Sequence, residues 1–547
     1  MSDLVRDHLM RFATAQAERS TFESHWEEIA ARLFPSHKDT FTAFGYQNQF
    51  NQGAKKTELM FDATAALALQ RFSAVLESLL TPQASQWHRL IPSDPSLKKN
   101  AQVRRYLDDV NARLFRYRYR PKANFSGQIQ PTYMGLGAYG SGVLFVDALP
   151  GGGIRYRHVH LAEAYFIENH QGLVDTLYRK FQLTAQQAIK RFGESTLPEQ
   201  IISASKSPTQ KDTRFEFLHC VYPREDYDPE RLDEKGMQYE SIYISCAGQR
   251  EIKRGGYASF PYPLSRYTQS PGEVYGRSPA MLGLPAIKVL NEEKKTVLKQ
   301  GHRIVDPVLL LHDDGQISGF SLKPGALNYG AVNADGRALV QTLPSGNIAV
   351  GKDMMDDERA VINDLFLVSL FQILVETPAM TATEVLERAR EKGMLLAPTM
   401  GRQQSELLGP LVERELDILA RQGLLPPPPA VFEEAGASYT VEYDSPMARM
   451  QRAENAAGLF RTLDLAVNYA KLTGDPSPFD WVDFDEAMPE IMDINAVPAR
   501  WVRTMEGVEA VRAQRAQQQQ IQQAIEAAPA LAGAAKAIPG LAEGAAA

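Results

Sequence analysis

Three groups of residues have types and spacings that could do chemistry. Gly135-Leu136-Gly137-Ala138-Tyr139-Gly140 spells a dinucleotide fingerprint. That chemistry needs a strand before the glycines and a helix after them, so that helix N-terminal amides meet the pyrophosphate. Here helical periodicity precedes and strand periodicity follows, so the glycines read as a tight entry into a strand. The partner motifs of a kinase glycine loop do not follow either. His158 and His160 lie two apart on a predicted strand, hence on one face, and could hold a metal. No acid or cysteine stands at a recognisable ligand spacing beside them. Asp483, Asp485, Glu486 and Glu490 fit no calcium loop and read as a solvated acidic turn. There is no Gly-x4-Gly-Lys-Ser/Thr run for a P-loop motor and no Gly-x-Ser-x-Gly elbow. No catalytic, cofactor-binding or metal residue is therefore assigned, no cofactor is expected, and nothing argues for an enzyme.

Two charged arrangements remain. Arg113, Arg116, Arg118, Arg120 and Lys122 are interleaved with Phe115, Tyr117 and Tyr119. Basic residues alternating with aromatics can grip a single strand; a solvated or interface face with partly buried stems is the other reading. Further on, two long helical patterns flank an irregular insert. The first is basic, with Lys288, Lys294, Lys295, Lys299 and Arg303. The second opens acidic, with Asp353, Asp356, Asp357, Glu358 and Asp364. They predict an antiparallel pair with a small module at its tip, their charges complementary within one subunit or between neighbours.

Helical spacing covers 3–33, about 54–80, about 94–119 and 125–138. Short strands are predicted at 87–91, 140–146, 154–159, 164–167, 174–181, 214–223, 239–247 and about 257–267. The long helices are predicted over about 279–304 and 353–375, with a kink or restart at Pro285. Thr381-Ala382-Thr383-Glu384 is a capping box opening a helix to about 392. Helices follow at 402–422, 446–472 and from about 498, with an acidic, turn-rich stretch at about 474–495. The last twenty residues are Ala/Gly/Pro-biased and read as a disordered tail.

The 547 residues carry 59 Lys plus Arg against 66 Asp plus Glu, a net charge of −7. A domain that clamps DNA usually carries a large positive excess, so this balance suits transient contact instead. The two cysteines, Cys220 and Cys246, read as small buried hydrophobes or as a cross-strand disulfide; cysteine usage this sparse suits a reducing cytosol. The longest apolar stretch, Leu365 to Val375, is far short of the ~20 residues that span a bilayer.

In these residues the chain resembles the head-to-tail connecting (portal) proteins of short-tailed, podovirus-type bacteriophages. The matching stretches are Asp62-Ala63-Thr64-Ala65, Leu80-Thr81-Pro82 with Trp87, Gly137 to Phe145, and Tyr275-Gly276-Arg277-Ser278-Pro279. They continue with Leu284 to Asn291, Asp306-Pro307, Thr381 to Val385, Pro410-Leu411-Val412 and Gly423-Leu424-Leu425-Pro426.

The resemblance implies an α+β portal fold in a homo-oligomeric ring, twelve subunits in the virion. It implies a wing over 1–277, stem helices over 278–305 and 353–375, and a clip over 306–352. A tunnel loop with returning wing helices would span 376–445, the loop region being Glu376, Thr377, Pro378, Ala379, Met380 and Thr381. A helical crown would span 446–526. The implied role is a DNA channel at one capsid vertex, made in the host cytoplasm, through which the genome is packaged and ejected. The implied partners are passing double-stranded DNA, the terminase motor, the major capsid or scaffolding protein, and the tail adaptor. A tail adaptor or tube component, or a DNA-packaging enzyme, are the alternatives; the missing P-loop weighs against the last.

Overall fold

The computed structural model describes residues 3–42, 53–231, 233–311, 320–333, 335–344, 346–368, 399–443, 446–474, 477–494, 503, 507–519 and 521. The helices are α1 (Asp3–Leu33), α2 (Thr64–Leu80), α3 (Ala101–Arg118), α4 (Phe125–Tyr139), α5 (Ala185–Phe192), α6 (Glu199–Lys206), α7 (Pro279–Val305), α8 (Ile348–Leu365), α9 (Gly409–Arg421), α10 (Ala430–Glu434), α11 (Pro446–Thr473) and α12 (Phe484–Ile494). The strands are β1 (His88–Pro92), β2 (Ser141–Ala148), β3 (Ile154–Val159), β4 (Ala164–Glu168), β5 (Val174–Thr184), β6 (Arg214–Pro223), β7 (Tyr239–Ser245), β8 (Arg250–Tyr257), β9 (Leu264–Arg266), β10 (Leu309–Leu311), β11 (Val340–Thr342) and β12 (Tyr439–Tyr443). The architecture is α+β, and the chain divides into two units: residues 1–87 with 114–425, and residues 88–113 with 426–547.

The first unit is organised around an antiparallel sheet, β4-β5-β6-β7-β8. Successive side chains on a strand point to opposite faces. On one face Tyr178, Leu218, Cys220, Ile242 and Ile244 meet Val5 and Ala15 of α1. On the other face Phe181, Phe217 and Tyr243 meet Ala185, Ala188, Ile201 and Ala204 of α5 and α6. Residues 217 and 218, or 242 and 243, thus build different cores from adjacent positions. Thr184 opens α5 with a capping box, its side chain accepting from the Gln187 amide.

A second sheet, β3-β2-β9, is entered from α4 through Gly140. Gly140 has φ +82°, and a Cβ there would sit 2.1 Å from the Gly276 carbonyl oxygen. Only glycine permits that crossing of two backbones. At Gly137 a Cβ would come 2.7 Å from Leu69 Cδ1, so this glycine lets α4 lie close on α2. The glycine run is structural.

The second unit joins distant segments. β1 pairs antiparallel with β12, from His88↔Tyr443 to Pro92↔Tyr439, and Arg89 pairs with Glu442 at 3.1 Å. Asn111 donates from Nδ2 to the His88 carbonyl at 3.1 Å.

Several elements depart from the sequence expectation for tertiary reasons. α2 begins at Thr64, not near 54, because Asn291 Oδ1 accepts the Phe61 and Asp62 amides at 2.7 and 3.1 Å and holds that segment irregular. Asp62 in turn accepts the Thr64 amide at 2.9 Å. The helix expected over 94–119 is broken at Asn100, which is extended at ψ 115° and caps α3 through its side chain. The strand expected over 257–267 divides into the end of β8 at Tyr257 and β9 at Leu264–Arg266; between them Pro261 and Pro263 lack ladder donors and only accept, from the Val146 and Leu144 amides. α7 runs unbroken through Pro285, which sits within the first two turns. The acidic stretch holds a helix, α12. β8 and α6 were not expected, their charged and short sequences lacking clear periodicity.

Candidate functional site: the α7–α8 hairpin and its insert

Ser278 caps α7, accepting the Met281 amide at 2.9 Å, with Pro279 at the first helical position. Asn347 caps α8, accepting the Ala349 amide at 2.9 Å, so α8 starts five residues before the expected 353. α8 ends at Leu365, with Leu367 at φ +60°, so the helix expected to 375 is interrupted there; residues 369–375, the tunnel-loop residues Glu376 to Thr381 and the capping box at Thr381 lie outside the described residues.

The two helices pack antiparallel. A Cβ on Gly283 would lie 3.0 Å from Leu365 Cδ1, and one on Gly351 would lie 2.8 Å from Val297 Cγ2. Gln300 Nε2 donates to the Gly346 carbonyl at 2.6 Å. Between these points Glu293 lies within electrostatic reach of Glu358: burial, and then Glu358, push the Glu293 carboxyl up, and its Oε2 is buried without a hydrogen-bond partner. The seam holds like charges.

This register fixes where the charged residues point, since each helical residue advances about 100°. Relative to Glu293, Lys288, Lys295 and Lys299 lie at about 200–240°, on the edge of α7 turned away from α8. Relative to Glu358, Asp353, Asp357 and Asp364 lie at about 220–260°, on the edge of α8 turned away from α7. Asp356 flanks that acidic edge, and Lys294 lies to the side of α7. The hairpin is therefore basic along one outer edge and acidic along the other. Lys288 bonds Glu28 at 2.6 Å and Lys295 bonds Glu292 at 3.3 Å. Lys299, Asp353, Asp357 and Asp364 are exposed.

The two flat faces also differ. On one, Asn291 holds Phe61 and Asp62, and Arg359 bonds Asp62 at 2.6 Å. The other carries Leu282 and Val289 of α7 with Val350, Met354 and Val361 of α8, 44–72% exposed. In the insert, β10 pairs antiparallel with β11 from Leu309↔Thr342 to Leu311↔Val340. Leu322, Leu327, Tyr329 and Val332 are 58–80% exposed there. Such apolar exposure marks an interaction surface. Sequence reading missed the Glu293–Glu358 seam and this apolar face, because only the register tells which residues turn inward.

The other candidates disperse. Arg118 is fully buried: its Nε bonds Glu415 Oε1 at 2.9 Å, the Tyr156 hydroxyl donates to the same oxygen at 2.6 Å, and the guanidinium lies 4.4 Å from the Trp87 ring centroid. It is corrected from a nucleic-acid candidate to a core ion pair, since no ligand reaches it. Tyr119 accepts from Trp87 Nε1 and donates to the Thr81 carbonyl, so it is not free to stack on a base. Arg120 lies over Tyr117 at 3.8 Å, Arg113 bonds Asp109 at 3.1 Å, and Arg116 and Lys122 are exposed.

His158 and His160 belong to a buried array. The Ala162 amide donates to His160 Nδ1 at 3.1 Å, so the proton of neutral His160 sits on Nε2 and faces His37 Nδ1 at 3.0 Å. The Tyr139 hydroxyl is 3.2 Å from the same His37 nitrogen, and Thr132 Oγ1 is 3.0 Å from His158 Nδ1. Burial pushes His37 and His158 down to about 4, and His160 well below its ordinary value. Among the described residues no group of three potential ligands could hold a metal. Asp485 is paired with Arg512 and its amide bonds Asp483 Oδ1 at 2.9 Å, consistent with acids at the start of α12. Cys220 and Cys246 are both free thiols. No helix among the described residues is long and apolar enough to cross a membrane.

A hairpin with opposite outer edges and an apolar-surfaced insert is equipped for assembly. The model of the bacteriophage head to tail connecting protein family matches residues 6–502. The chain belongs to that family. It is 31% identical over 453 residues to a probable portal protein of Bordetella phage BPP-1, covering 81% of this chain and 79% of the relative. It is 27% identical over 504 residues to the portal protein of Salmonella phage epsilon15, covering 91% of this chain and 88% of the relative. As a family member it is a portal-type structural component of the phage head–tail junction.

Proposed function

We propose that copies of this chain close into a ring, twelve as in the family it resembles, with the α7–α8 hairpins as the stem. The ring is the channel at one capsid vertex through which double-stranded DNA is packaged and ejected. The observation that carries this reading is the charge division of the hairpin. A cyclic ring uses head-to-tail interfaces, so one edge of a subunit must complement the opposite edge of the next. Lys299 on one outer edge and Asp353, Asp357 and Asp364 on the other meet that requirement. The apolar face at Val350, Met354 and Val361 adds area for a neighbour to cover.

The insert, residues 306–352, is the clip, and its exposed Leu322, Leu327, Tyr329 and Val332 suit docking of the terminase motor and later the tail adaptor. Residues 1–277 form the wing, with returning helices from 376–445, and 446–526 the crown. A net charge of −7 suits a conduit, because each tight phosphate contact adds affinity that slows sliding.

The test is a charge swap read by ring imaging of the full chain. Lys299→Glu or Asp357→Lys alone should lower the fraction of rings, and a mixture of the two variants should recover part of it. Single reversals that leave ring formation unchanged would overturn the edge assignment. A protein that images only as compact monomers would overturn the ring.

A further inference from the structure

The buried arginines of the first unit set a pattern from which two depart: Arg224, whose Asp226 and Glu240 are shared with Lys235 and Arg254, and Arg414. Arg118 has Glu415, Arg179 has Glu163 at 2.7 Å, Arg19 has Glu23 at 2.6 Å, and Arg266 has both Glu168 and Glu406. Each buried guanidinium has at least one carboxylate within reach, as a desolvated charge requires. Arg414 differs. Its side chain is 5% exposed, and its carboxylate, Asp417, is shared. Asp417 Oδ2 accepts from Arg414 Nη1 at 2.7 Å and Oδ1 accepts from Arg421 Nε at 2.8 Å. Ser259 also donates to Oδ2, at 3.3 Å. Both oxygens of one carboxylate are thus committed to two guanidiniums.

These residues border a cavity of about 200 Å³ between α9 and the ends of β2 and β8. Its remaining wall is Ala148, Gly256, Tyr257, Ala258, Ile418 and Gln422. Two cations and one anion line it. Asp147 and Glu413 act electrostatically on Arg414 and on Asp417, but neither lines the cavity. Burial pushes the Arg414 guanidinium below its ordinary value, opposite to Arg118 and Arg179. Arg414 Nε donates to the Val146 carbonyl at 3.3 Å and Nη1 also reaches Ser259 Oγ at 3.4 Å, so an acceptor-rich group entering the cavity would meet the guanidinium edges of Arg414 and Arg421 that Asp417 does not fill.

We propose that this cleft is a binding site for a small oxyanion, with Arg414 at its floor and Arg421, 47% exposed, at its mouth. Because Arg414 is recessed, the occupant is a free anion of phosphate size. The test is calorimetric titration of the full-length protein with inorganic phosphate, against a sodium chloride titration of matched ionic strength. Saturable binding at about 1 mM or tighter, weakened at least about tenfold by Arg421→Gln, is expected. The half-exposed position of Arg421 makes that variant compatible with folding, which its circular dichroism checks. An Arg120→Gln control should bind like the parent. No saturation by about 10 mM, an equal response to chloride, or an unchanged Arg421→Gln would each overturn the proposal. A short DNA duplex is titrated in parallel. Its displacing phosphate in an Arg421-dependent way would keep the oxyanion chemistry but overturn the free anion as its source.

Discussion

The sheet core and the α7–α8 hairpin treat charge in opposite ways. In the core, Arg118, Glu415 and Tyr156 form a closed network with every charge answered inside the same unit. On the hairpin, Glu293 feels the like charge of Glu358, and Lys299 and Asp357 stand exposed on opposite outer edges. The apolar residues follow the same division: Trp26, Leu218 and Ile242 are at most 1% exposed, whereas Val350, Met354 and Leu327 are at least half exposed. The Arg118 network is completed within its own chain. The hairpin and insert leave charge and apolar surface exposed, which is the property the proposed cyclic assembly would use.

That contrast breaks most readily in the core. Glu415→Gln strands the Arg118 charge in a desolvated site and should cost about 3–5 kcal/mol, read by chemical denaturation. A loss under about 1 kcal/mol would mean the network is not the closed unit described. The histidine array should give the next largest effect. Folded-state values for His37 and His158 lie below the ordinary 6.5, so the unfolded chain binds more protons as pH falls. Their stabilisation is full above about pH 6.5 and is lost as pH falls toward about 4. Each tenfold difference in proton affinity between the folded and unfolded chain is worth about 1.4 kcal/mol. Denaturation midpoints measured between those limits should fall with pH, and less steeply in His158→Asn. A flat profile would remove the array from the core's account. The smallest effect belongs to the hairpin seam. Glu293→Gln relieves a like-charge contact and should raise stability by about 0.5 kcal/mol at neutral pH. A destabilisation would show that Glu293 has a partner the seam geometry does not supply.

Much of the scaffold was legible because its signals are local. Helical spacing located α1, α4, α7 and α11 within a residue or two, and the strands expected at 154–159 and 214–223 are β3 and β6. The helix-then-strand order read around Gly135–Gly140 is the order observed, and Gly140 has the positive φ that a tight entry into β2 requires. The start of α2 was not legible, because Asn291, more than two hundred residues away, holds residues 61 and 62 out of the helix. The basic-aromatic run around Arg113–Lys122 misled for the same reason. Composition cannot tell Arg118, buried against Glu415, from Arg120, exposed two residues later.

The sequence by itself determined most of the elements, the absence of P-loop and esterase signatures, the charge of each long helix and, through the stretches from Asp62 to Pro426, the family. Only the tertiary structure decided which charges face outward, which buried arginines share their carboxylates, and where apolar surface is left uncovered. Periodicity is set by bonds between near neighbours along the chain. Facing is set by register between segments far apart in it, and a shift of one residue in helical register turns a side chain by about 100°.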